Sequence, residues 1–239
     1  MLAAWLKEHF KLVWWALFLA IAAPGMGLAW SYLQNDLGTN PLETLLRTTG
    51  QAALNLIILS LTITPLRRIL SLLSKWLHFR HGKRLADWNW LVRLHRQIGL
   101  WCFAYALAHA WVFVAFDLGY QLGEAWLDIQ EKPYLLVGTL ALLLLVPLAV
   151  TSTKGMMKRL GSNWFRLQQL IYAVAVLGLL HFWWLVKPGV WSPIPYTITI
   201  VLLLGYRLLL QIGLLEKWSG SDGLKTPDRS TGSGSTTTH

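Results

Sequence analysis

Two histidines, His109 and His181, each lie inside an apolar stretch of roughly 20 residues, the length that crosses a bilayer. An ionisable side chain at that depth is costly, so it marks either a functional site or a helix-to-helix hydrogen bond. His109 stands eight residues before Asp117, which at helical rise places it about 12 Å below the acidic end of its run. His181 stands six residues before Lys187, about 9 Å from the same end. Two neutral imidazoles at one depth on different helices form a donor set for haem iron, one on each side of the porphyrin. In the competing reading each histidine only bonds a neighbouring helix. The matched depth favours ligation.

The remaining histidines separate by position. His9, His78, His81 and His239 lie in basic or polar flanks, where solvated or headgroup-facing roles are their ordinary reading. His95 precedes His109 by 14 residues, about four helical turns, so both point the same way about 21 Å apart. It is a candidate ligand for a second, inner haem, or a surface residue beside Arg93 and Arg96 that meets phosphate groups. Across from it, 13 residues before His181, stands Gln168. An amide is a poor iron ligand, so the inner level lacks its partner. Cys102, the single cysteine, lies between Trp101 and Phe103 and reads as a packing residue.

Positioning these residues calls for membrane helices. The 239 residues are 55% hydrophobic and only 13% charged, with a mean hydropathy of +0.46, too little polar surface for an ordinary soluble domain. Apolar runs long enough to span lie at 12–32, 48–66, 97–116, 134–152, 165–186 and 194–214. The expected fold is therefore an all-α integral membrane protein, a six-transmembrane-helix bundle, with His109 on the third helix and His181 on the fifth. Pro24-Gly25 and Pro147 interrupt two runs, which membrane helices tolerate when neighbours satisfy the freed backbone groups. The first run follows Lys7 and Lys11 without a small-residue cleavage site and is expected to be a retained helix.

Net charge is +10, and its distribution reads as topology. With alternating spans, all 21 Lys and Arg fall on one side except Arg47, Lys132 and Lys187. By the positive-inside rule that side is cytoplasmic and both termini face the cytoplasm. The opposite side carries Asp36, Glu43, Asp117, Glu124, Asp128 and Glu131. Nucleic acid is not needed to explain the charge. Most of the 15 tryptophans lie near span ends, as interfacial belts require, Trp14, Trp15, Trp30, Trp111, Trp164, Trp183, Trp184 and Trp191 among them. Residues 219–239, rich in Gly, Ser and Thr, are expected to form a disordered polar tail after a membrane domain at 1–218.

Four segments carry a family resemblance. Leu94-His95-Arg96-Gln97-Ile98-Gly99-Leu100, continuing through Tyr105 to His109, resembles the third helix of the haem-binding membrane subunit of the bacterial methionine sulfoxide reductase system (MsrQ, formerly YedZ). Thr64-Pro65-Leu66-Arg67, Leu148-Ala149-Val150-Thr151-Ser152, and Trp164 through Tyr172 to His181 with Leu185-Val186-Lys187 are similar to it as well. The wider group it resembles is the ferric reductase-like transmembrane superfamily, shared with NADPH oxidases. The resemblance implies haem b ligated by His109 and His181, FMN as a second cofactor, and a periplasmic molybdenum-containing methionine sulfoxide reductase subunit (MsrP) as partner. Members commonly carry histidine where Gln168 stands and arginine where His95 stands, so this chain departs from the pattern at the inner level.

No G-x-G-x-x-G stands in a βαβ context, so electrons are expected from a membrane quinol or a separate cytoplasmic flavin reductase rather than from a nicotinamide held here. The chain then reads as an electron-transfer subunit of the bacterial inner membrane, not an enzyme alone. It would have a donor on its basic side, haem between His109 and His181, and an acceptor on the acidic loops. Arg96 and Arg166, with Arg67, Arg68 and Arg93, could neutralise haem propionates or a flavin phosphate. Two alternatives stand beside this reading: a quinol-linked cytochrome b of another pathway, and a colourless transporter or scaffold whose histidines only pair helices.

Overall fold

A computed structural model describes residues 8–78, 84–186 and 192–212. The tail at 219–239, the Lys7, His81, Lys187, Trp191 and His239 positions and the end of the expected domain at 213–218 lie outside the described residues. Helices α1 (Phe10–Leu33), α2 (Pro41–Trp76), α3 (Asn89–Val112), α4 (Leu122–Glu131), α5 (Pro133–Val150), α6 (Lys154–Leu160), α7 (Ser162–Gln168), α8 (Leu170–Leu185) and α9 (Pro193–Gln211) follow in order. A 3-10 turn (Leu85–Trp88) leads into α3 and a π-helical turn (Phe113–Asp117) ends it. Among the described residues, six helical stretches are long and apolar enough to cross a membrane: Phe10–Leu33, Pro41–Trp76, Asn89–Asp117, Pro133–Val150, Ser162–Leu185 and Pro193–Gln211. They correspond one to one with the six apolar runs of the sequence.

The chain divides into two compact units, residues 1–204 and 205–239. In the second, the described residues are the end of α9. In the first, the most extensive helix pairings are α2 with α3 and α5 with α8, and the two pairs meet where α3 touches α5 and α2 touches α8. Leu61, Ile98, Cys102, Val174, Ala175 and Ile200 are buried at the centre. Outward positions stay apolar, with Leu202 67% and Trp30 65% exposed, a surface suited to lipid rather than water.

Local signals place the helices that matter. Asn40 caps α2 by accepting from the Glu43 N–H at 3.3 Å while its amide donates to the Glu43 carboxylate at 3.0 Å, with Pro41 at the first helical position. Pro133 opens α5 in the same way after Lys132. Pro24 removes one donor from α1, and a neighbour repairs the helix there. The Gly25 N–H donates to Tyr105 Oη at 3.0 Å, and that hydroxyl donates to the Ile21 carbonyl at 2.7 Å. Gly161, at φ +52°, makes the turn between α6 and α7 that a side chain would strain. Exposed indoles at Trp15, Trp30, Trp111, Trp183 and Trp184 fit interfacial belts. Trp14 is different, because it stacks on Phe18 at 5.6 Å and packs against the core.

Candidate functional site: a pair of facing imidazoles

Packing of α2 on α3 follows from small side chains. Thr49, Gly50 and Ala53 on α2 let the two backbones approach, the usual device for membrane helices. Side chains of α3 then bond main-chain oxygens of α2 directly. His109 Nδ1 lies 3.0 Å from the Leu46 carbonyl, Cys102 Sγ 3.5 Å from that of Ala53, and His95 Nε2 2.7 Å from that of Ser60. The three contacts step by seven residues along each helix in antiparallel order, the 3.5-residue period of a left-handed helix pair. At the far end the Arg67 guanidinium donates to the Leu85 carbonyl at 3.2 Å and to Asn89 Oδ1.

The α5–α8 pair is built likewise. His181 Nδ1 on α8 lies 2.7 Å from the Tyr134 carbonyl on α5, and at the opposite end Trp164 Nε1 on α7 donates at 3.1 Å to the carbonyl of Thr151, which caps α5. Where the pairs meet, the rings of His109 and His181 stand with centroids 6.0 Å apart and planes at 88°. The Tyr134 ring lies 6.2 Å from His181. Both histidines are half-buried.

Hydrogen-bond chemistry fixes which ring nitrogen is available. A carbonyl only accepts, so His109 Nδ1 and His181 Nδ1 each carry the proton, and in the neutral ring Nε2 keeps its lone pair. Metal-ligating histidines are oriented in this way, the second nitrogen donating to a carbonyl or carboxylate. Thr49 Oγ1, which donates to the Leu45 carbonyl at 2.7 Å, lies 3.3 Å from His109 Nδ1 as a further acceptor. His95 has the opposite arrangement: its Nε2, not its Nδ1, donates to the Ser60 carbonyl.

The donor set fits a haem. Iron held between two imidazoles needs about 6.2 Å between ring centres, two metal–nitrogen bonds of about 2 Å and two ring radii of about 1.1 Å. The observed separation is 6.0 Å. Porphyrin supplies the other four nitrogens, so two protein ligands suffice.

Of the residues singled out in the sequence, the structure brings His109 and His181 together. His95 lies at the other end of α3 and does not join them. Arg96 and Arg166 are exposed. Arg67 Nε and Trp90 Nε1, near the start of α3, are buried donors with no acceptor among the described residues. Sequence reasoning did not find the Leu46 and Tyr134 carbonyls, Thr49, Gly50 or Gly138. Glycines inside apolar helices are a signal of close approach, but not of what approaches.

Residues 49–180 match the family model described as ferric reductase like transmembrane component. Among curated proteins, the chain is 42% identical over 192 residues to the protein-methionine-sulfoxide reductase heme-binding subunit MsrQ of Herminiimonas arsenicoxydans, covering 79% of this chain and 81% of that one. It is 36% identical over 205 residues to the MsrQ of Azospira oryzae, covering 85% and 81%. It is 37% identical over 203 residues to the MsrQ of Caulobacter vibrioides, covering 84% and 89%. No solved structure matches the chain at a significant level. Two neighbouring imidazoles on separate helix pairs, a family match that takes in His109 and ends one residue before His181, and this likeness along most of both lengths lead to one conclusion: the chain belongs to the MsrQ family of ferric reductase-like transmembrane proteins.

Proposed function

We propose that this chain is the haem b electron-transfer subunit of a methionine sulfoxide reductase system, in which His109 and His181 would hold a single haem. The observation that carries the reading is the matched pair of Nδ1-to-carbonyl bonds, which leave Nε2 of both rings for iron at a ring separation of 6.0 Å. Bound there, haem b would supply a one-electron carrier. The protein's part is position and tuning: Leu46 and Tyr134 hold the imidazoles, and apolar helix surface keeps water away. Relatives named as heme-binding subunits of this reductase support the assignment. The chain is a multi-pass protein of the bacterial inner membrane and a non-catalytic subunit of its system.

With six crossing helices both termini share a side, and the basic loops make it cytoplasmic. Electrons enter from quinol or a cytoplasmic flavin reductase at that end. FMN is the second cofactor of the reading, and Arg67 Nε and Trp90 Nε1, two buried donors without acceptors among the described residues, support an acceptor-bearing group there. Arg96 and Arg166 are exposed at the same basic end and serve a phosphate or propionate. The acceptor, a periplasmic MsrP-type reductase, docks on the acidic loops that hold Asp117, Asp128 and Glu131.

The test is a haem count on the purified full-length protein. Reduced spectra should show b-type bands, and His109→Ala and His181→Ala should each abolish them. Colourless protein, or haem content unchanged in both variants, would refute the reading. Flavin released by acid and counted per chain tests FMN.

A further inference from the structure

The two histidine contacts repeat one local design. His109 bonds the carbonyl of Leu46, and the residue four further along α2 is Gly50. His181 bonds the carbonyl of Tyr134, and the residue four further along α5 is Gly138. In a helix the carbonyl of residue i points toward residue i+4, whose Cβ tilts back over that same turn. A glycine at i+4 therefore bares the carbonyl and lets another ring lie against the backbone. The space confirms it: a Cβ on Gly50 would stand 3.1 Å from both Cε1 and Nδ1 of His109, and one on Gly138 would stand 2.7 Å from Nδ1 and 2.9 Å from Cε1 of His181.

A control exists in the same seam. His95 bonds the Ser60 carbonyl, but the residue at i+4 is Thr64. There the histidine reaches the carbonyl with Nε2, the ring atom farthest from its own backbone, instead of Nδ1. The near nitrogen meets the carbonyl at both glycine sites, and the far nitrogen meets it where a side chain stands at that position.

We propose that Gly50 and Gly138 are positioning residues for the metal-ligating imidazoles, each selecting the Nδ1-bonded ring orientation that leaves Nε2 for a metal. The proposal rests on the haem reading for its purpose, though the ring orientation itself is independent of haem. Replacing either glycine by alanine pushes the ring off the carbonyl without touching a ligand. The effect is larger at Gly138, where the added methyl meets ring atoms at distances that real carbon atoms do not tolerate. Gly99, on α3, has open space around a built Cβ and serves as the neutral replacement.

The experiment compares Gly50→Ala, Gly138→Ala and Gly99→Ala in purified full-length protein by haem per chain and by the electron paramagnetic resonance of the ferric haem, which reads the mutual angle of the imidazole planes. Gly138→Ala is expected to weaken haem retention by roughly 10-fold, the usual effect of losing a ligand's hydrogen-bonded support. The smaller loss is expected in Gly50→Ala, with a shifted signal from the haem that remains in either variant. Gly99→Ala should match the parent. Full haem with an unshifted signal in both variants overturns the proposal, as does lowered thermal stability with an unshifted signal per haem, which would mean packing alone. Nitrogen-15 spectra of labelled histidines in haem-free protein cover the case in which the variants do not fold. Nδ1–H tautomers at His109 and His181 with Nε2–H at His95 support the proposal even if no haem binds, and Nε2–H at either of the first two overturns it.

Discussion

Replacing Tyr105 by phenylalanine removes one oxygen and breaks the repair of α1. Its hydroxyl stands between the Gly25 N–H at 3.0 Å and the Ile21 carbonyl at 2.7 Å, in a residue only 6% exposed. Without it one donor and one acceptor lose their partner in surroundings that offer no water, at about 1–3 kcal/mol for each unsatisfied group. These two groups are also the natural i and i+4 partners of an undistorted helix, so α1 recovers part of the loss by closing on itself. A net cost of about 2 kcal/mol remains. For a chain of this size that lowers the melting midpoint by about 4–8 °C, followed by the fluorescence of the 15 tryptophans in detergent. Haem content at low temperature should not change, because His109 is anchored on α2 rather than α1. A midpoint within about 1 °C of the parent would show that the helix bond reforms completely and that Tyr105 does not hold α1 to α3.

Thr49→Val keeps the shape of the residue but removes the second acceptor near His109 Nδ1. A less strongly bonded imidazole is a poorer electron donor, so the haem potential should rise in a redox titration while haem content stays constant. Asn40→Ala removes the cap of α2 and should cost about 1 kcal/mol, read as faster amide exchange at Glu43 and Thr44. Lys132 is held above its ordinary value of 10.5, first by its hydrogen bond to Asp128 at 2.6 Å. A raised lysine contributes fully below its ordinary value and loses its contribution as pH climbs through the raised one. Any contribution of this pair should therefore be constant from neutral pH up to about 10.5 and fall only as pH climbs above that, read in melting curves. Because the ammonium is exposed, Asp128→Asn should leave the midpoint nearly unchanged.

Periodicity and charge make the six spans legible, since an apolar run of bilayer length has few alternatives and the helices match those runs. Depth counting also brings His109 and His181 to one level. The sequence could not show which helices touch. That depends on the small residues Thr49, Gly50 and Ala53 meeting α3 and on the antiparallel order of α5 and α8. Nor could it show which ring nitrogen is free, because the acceptors are main-chain carbonyls, and every residue carries one. In the sequence Tyr105 stands only as part of the segment that resembles the third MsrQ helix. Its role exists only because Pro24, 81 positions earlier in the chain, lies across from it. Trp14 lies at a span end, as an interfacial indole would, but the neighbouring Phe18 and Trp101 rings draw that stretch of α1 inward.

His95 ties the proposed number of haems to the α2–α3 seam. It shares a helix face with His109, and its contact on α2 is two seven-residue steps away in the same register. Depth and direction alone would make it an equal candidate. Its ring, however, spends Nε2 on the Ser60 carbonyl, and Gln168, the residue expected opposite, offers only an amide. Of these three histidines, only His109 and His181 meet their carbonyls through Nδ1. His95→Ala should therefore leave haem per chain unchanged, while losing one hydrogen bond to a carbonyl that keeps its helical partner, a cost of about 1 kcal/mol in thermal stability. A fall in haem to half the parent's value would place a second haem at His95 and break the link between ring orientation and ligation on which the assignment of His109 and His181 rests.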